Sequence, residues 1–86
     1  MQKTHVCEID GQTYELQSPS LRGYMTWSDR LNNGKIDTYE YSDWMLKNSV
    51  TSPLEIKSQG NAYFEGKDKA VAIIESIVFA INDMFR

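Results

Sequence analysis

The sequence has 86 residues, 41% apolar and 24% charged, with a formal net charge of -3, which fits one small soluble domain whose core is thin. The nine Lys and Arg residues are scattered, excluding the clustered basic face that nucleic acid requires, and no apolar run is long enough to span a bilayer. The single cysteine excludes an internal disulfide and suits the cytoplasm.

Gln2, Lys3 and Thr4 lead into a strand-like pattern, so no secretory signal is expected. Asp10-Gly11 is a two-residue turn signal, because a type I′ turn needs positive φ at both positions. That turn sets Ile9 opposite Gln12, Cys7 opposite Tyr14 and His5 opposite Leu16. Cys7, Ile9, Tyr14 and Leu16 then share a dry face, and Val6, Glu8, Thr13 and Glu15 share the wet one. A lone hairpin is marginal in water, so the dry face must pack on helices.

Ser18-Pro19 is expected to open a helix, with Ser18 as cap and Pro19 at the first helical position. Leu21, Tyr24, Met25, Ser28 and Leu31 form its buried stripe, with Trp27 at the margin, and Gly34 ends it. Asp37 with Glu40 three residues later resembles a capping box, and Ile36 with Tyr41 can staple it. The helix from Asp37 to about Asn48 or Ser49 buries Tyr41, Trp44 and Met45. Tyr39 and Leu46 point roughly the other way and need a second neighbour. Ser52-Pro53 marks a turn, Leu54 and Ile56 anchor the crossing segment, and 58–61 is a loop. Ala62-Tyr63-Phe64 reads as a helical turn or an apolar plug.

The closing helix, 67–86, is the most apolar. At roughly 100° per residue, Glu75, Ser76, Asn82, Asp83 and Arg86 share an arc of about 120°. Ala70, Val71, Ile73, Ile74, Ile77, Val78, Ala80, Ile81, Met84 and Phe85 fill the other side. Phe79 breaks the pattern by standing in the polar arc. The expected architecture is α+β: a single domain, 1–86, with an N-terminal β-hairpin packed on about three α-helices. An apolar helix this wide needs a cover, which the domain itself, a second copy in a homo-oligomer, or a client can provide.

No reaction is legible. Cys7 reads as a small core residue. His5 lies beside it, but two ligands do not make a metal site. The Asp and Glu residues read as solvated faces, and one histidine offers no triad. Asp29 to Glu40 reads DRLNNGKIDTYE, and Asp29, Asn33, Gly34, Asp37 and Glu40 fit a calcium loop. Leu31 holds the third position and cannot coordinate a hard cation, and helix-end chemistry explains Gly34, Asp37 and Glu40 equally well. No catalytic residue, cofactor or metal ligand is assigned. The candidates for partner binding are Phe79, Tyr39, Leu46, Trp27, Met84 and Phe85.

The order of parts resembles the small tail assembly chaperones of long-tailed bacteriophages of Gram-positive hosts. The resemblance lies in Gly11-Gln12-Thr13-Tyr14-Glu15-Leu16, in Gly34-Lys35-Ile36-Asp37 with Tyr41, in the stretch Met45 to Pro53 with Val50, and in the apolar closing helix. It implies a non-catalytic protein, absent from the finished virion, whose partners are the tape measure protein and the major tail protein. Two other readings stand beside it: a calcium-responsive regulatory domain using Asp29 to Glu40, and a small phage inhibitor of a host enzyme.

Overall fold

The computed structural model describes residues 4–85. The chain begins with the expected hairpin, β1 (Thr4–Ile9) and β2 (Gln12–Gln17). Asp10 and Gly11 both have positive φ, 53° and 85°, as a type I′ turn requires. The register is the expected one, with Cys7 opposite Tyr14 and His5 opposite Leu16. Tyr14 and Leu16 are buried, Cys7 and Ile9 half-buried, and Val6 exposed. A third strand that the sequence does not announce, β3 (Val50–Ser52), pairs antiparallel with β2 across an irregularity at Glu15/Leu16. Three residues are too few to show a period of two. The Thr51 hydroxyl reinforces the pairing by donating to the Glu15 carbonyl, 3.1 Å away.

Helix α1 (Leu21–Asn32) starts two residues later than expected, because Ser20 rather than Ser18 caps it. Ser20 Oγ accepts from the Gly23 amide at 3.1 Å, while Ser18 and Pro19 lie buried ahead of the helix. The helix is also rotated from the expected stripe. Leu21 and Met25 are exposed, whereas Tyr24, Trp27, Ser28 and Leu31 are half-buried. Two aromatic stacks decide the rotation: Trp27 on Trp44, centroids 5.4 Å apart, and Tyr24 on Phe85, 4.2 Å apart.

Helix α2 (Thr38–Ser49) opens with the expected capping box. Asp37 Oδ1 accepts the Glu40 amide at 2.8 Å and Glu40 Oε1 accepts the Asp37 amide at 3.4 Å. Its buried residues are Tyr41, Ser42, Met45, Leu46 and Ser49. The stretch 58–61, expected to be loop, is helical: it spans the end of α3 (Glu55–Gln59) and the start of a 3₁₀ helix, Gly60–Phe64, whose last three residues form the helical turn expected of Ala62-Tyr63-Phe64. Ile56 and Phe64 plug the core, but Leu54 does not anchor the crossing and stands 70% exposed.

Helix α4 (Ala70–Asp83) starts three residues after Lys67. Gly66 and Lys69, at φ 80° and 61°, take left-handed conformations that no helix continues through. Ile73, Ile77 and Ile81 are buried in one core cluster with Tyr14, Leu16, Met45, Leu46, Val50 and Phe64. The architecture is thus α+β: an N-terminal hairpin followed by four α-helices, with β3, between α2 and α3, completing a three-stranded antiparallel sheet.

Candidate functional site: an apolar groove between α2 and α4

An open groove of about 550 Å³ runs between the first half of α2 and the outer side of α4, with Leu31 of α1 at one end. Its floor is Tyr41, Ile74 and Val78. Its lips are Tyr39, Val71 and Phe79, which are 63%, 70% and 64% exposed. Glu75 is the one charged residue among the described residues that line it.

Local chemistry places each lip. The capping box fixes where α2 begins and so where Tyr39 stands. The Tyr39 carbonyl then accepts from Ser42 Oγ at 3.1 Å and from Asn61 Nδ2 at 2.9 Å, which ties the first turn of α2 to the 3₁₀ helix. On the other side, Ile73, Ile77 and Ile81 bury one stripe of α4 and turn Val71, Glu75 and Phe79 outward, four residues apart and so in line. Asn82, at the end of the groove, bonds the Tyr24 hydroxyl and donates to the Val78 carbonyl at 3.0 Å.

Of the six residues expected to bind partners, the fold brings Phe79 and Tyr39 together at this groove. Leu46 must be corrected: it is fully buried, because the core cluster supplies the second neighbour it needed. Met84 is also buried, at 9% exposure. Trp27 is spent on Trp44, with the Arg30 guanidinium 5.3 Å from its ring centroid, and Phe85 is spent on Tyr24. Val71 and Glu75 were missed as site residues. Their spacing with Phe79 was visible in the sequence, but Val71 reads as core on a helical wheel.

The candidate calcium loop is occupied by helix ends. Helix α1 runs on through Asn32, and Asp37 and Glu40 are committed to each other's amides. Among the described residues no three of His, Cys, Asp and Glu converge as a metal would need, and no helix is long and apolar enough to cross a membrane. Burial pushes the Cys7 thiol pKa up, which favours the unreactive protonated form. The arrangement therefore offers shape and apolar surface, with one carboxylate among apolar contacts. Set against known proteins, the chain matches no family model, and no curated protein or solved structure is significantly similar to it.

Proposed function

We propose that this chain is a bacteriophage tail assembly chaperone. It is non-catalytic, works in the host cell cytoplasm, and holds apolar helical segments of the tape measure protein while the major tail protein assembles around them. The observation that carries the reading is the groove itself. Phe79 and Tyr39 are large aromatics that stand exposed on two different helices at the lips of one apolar trough. Helix-in-groove recognition uses such a trough, and aromatic anchors at its edge are the usual hot spots. The phrases around Gly11–Leu16 and Gly34–Tyr41 support the family.

Co-expression with a tape measure fragment tests it. Phe79→Ala should leave stability within roughly 0.5 kcal/mol, as surface sites do, yet weaken co-purification by about 1 kcal/mol or more. Ile77→Ala, in the core at 0% exposure, should instead cost roughly 2–5 kcal/mol of stability. A Phe79→Ala protein that retains full co-purification, or that unfolds as readily as Ile77→Ala, would remove the groove as the binding site.

A further inference from the structure

We propose that the segment held in the α2–α4 groove is an amphipathic helix that carries Lys or Arg opposite Glu75, with apolar residues about one turn to either side. The inference rests on the groove being a client site and adds the charge of the client.

Val71, Glu75, Phe79 and Asp83 succeed one another at four-residue steps along α4. Residues four apart on a helix are neighbours on one face, so this face alternates apolar and acidic side chains. Val71, Glu75 and Phe79 line the groove, and Asp83 lies just past Phe79 in an adjoining depression with Thr4 and His5. A helix laid across Val71 and Phe79 must also cover Glu75, which sits between them. A carboxylate taken out of water without a counter-charge costs more than a neighbouring apolar contact returns. The occupant must therefore bring a cation to Glu75. Among the described residues no Lys or Arg lines the groove, and the ion pairs found there, Lys47–Asp43 and Lys69–Asp10, lie elsewhere.

The same line argues against a second copy seated symmetrically on α4. A two-fold axis passing near Glu75 would set this carboxylate against its own image, and like charges across an interface are repulsive. A head-to-tail copy is a different case. Leu21 and Met25 of α1 are 60% and 61% exposed, and Arg22 is exposed beside them, so the second copy's α1 is the rival occupant.

Two synthetic helical peptides of about five turns, identical in their apolar stripe, decide the matter. One carries Lys at the positions beside that stripe and the other carries Glu. Titrated into the whole protein at low salt, the Lys peptide should bind at least about five-fold more tightly, and the preference should shrink as salt screens it. Glu75→Gln should reduce the preference and Glu75→Lys should invert it, with unchanged circular dichroism. Equal binding of the two peptides, or a preference indifferent to Glu75→Lys, overturns the proposal. So does a concentration-dependent oligomer that Leu21→Ser and Met25→Ser dissolve, since the occupant is then α1 of another copy. Tape measure fragments that co-purify without any charge preference would leave the chaperone reading standing while removing this one. Failure of both peptides and fragments to bind would remove both.

Discussion

Cys7 and Tyr14 face each other across the hairpin, and both have raised pKa values. For Cys7 the cause is burial. For Tyr14 it is burial first, then the negative charges that Tyr63, Cys7 and Asp10 can carry nearby. Ordinary values are about 8.5 for a thiol and about 10 for a phenol. Above those values the unfolded chain has released protons that the folded chain still holds. Stability contributed by these two groups is therefore fully present below about pH 8 and is lost as pH rises through the alkaline range. Denaturant melts from neutral to alkaline pH should show that fall. Tyr14→Phe should flatten its upper part and Cys7→Ala its lower part; a fall unchanged in both variants would mean that neither residue is its source. The pairing behind this prediction was legible in the sequence, because a two-residue Asp-Gly turn allows one register and alternation then assigns the faces. The burial of Leu46 was not legible. A helical wheel shows that a residue points away from the main apolar face, but not what lies there.

Two features made wholly by local chemistry could be read, and elements held by distant partners could not. The Asp37/Glu40 box and the Asp10-Gly11 turn are complete within a few residues, so they stood in the sequence as they stand in the fold. The 3₁₀ helix is the opposite case. Asp43 Oδ1 accepts the Asn61 amide at 2.9 Å, Asn61 Oδ1 accepts from Ser42 Oγ at 3.2 Å, and Lys47 holds the other Asp43 oxygen at 3.0 Å. All of these partners lie back on α2, so the first two residues of the 3₁₀ helix, Gly60 and Asn61, read as loop until α2 is beside them. Gly60 makes the approach possible. Its φ is +57°, and a Cβ there would sit 2.1 Å from Asp43 Oδ1. Gly60→Ala must therefore break the Asp43–Asn61 bond as well as force a side chain into a left-handed backbone. It should cost roughly 2 kcal/mol or more. Gly66→Ala is the matched control: its φ is +80° with nothing within 4 Å of the added Cβ, so only the backbone cost of about 1–2 kcal/mol applies. Denaturant unfolding that ranks Gly66→Ala as the worse of the two would show that the 3₁₀ helix is not pinned through Asp43. Because Asn61 also holds the Tyr39 carbonyl, Gly60→Ala should loosen one lip of the groove and, on the function proposed above, weaken client binding too.

At the scale of the whole molecule, the groove exists because α1 covers α2 and α4 incompletely. The sheet, α2, α3, the 3₁₀ helix and α4 all supply fully buried apolar side chains, whereas α1, twelve residues long, supplies none. It is held by two aromatic stacks, by Tyr24 on Asn82, and by Ser28 beside Tyr41 with hydroxyl oxygens 3.2 Å apart. Only Leu31, near its end, reaches the groove. Phe79 was legible as an exposed aromatic because polar residues surround it on its own helix. The groove was not, since its other wall comes from α2 and its openness from the shallow seat of α1, a rotation set by tryptophan and tyrosine rings rather than by the apolar period. This seating has a dynamic consequence. Segments with little buried apolar surface open by local unfolding at a fraction of the global free energy. Amides in the middle of α1 should therefore exchange with solvent well before those around Met45 and Ile77, which should wait for global unfolding. An aromatic stack contributes about 0.5–1.5 kcal/mol beyond its area, so Trp27→Ala should speed exchange in α1 by several-fold to about ten-fold. It should leave the ratio of α2 to α4 exchange unchanged. Hydrogen exchange followed residue by residue reads both effects. If α1 is protected as strongly as Ile77, or if Trp27→Ala accelerates all helices alike, α1 unfolds with the core, and the groove is a fixed trough rather than one bounded by a loosely seated helix.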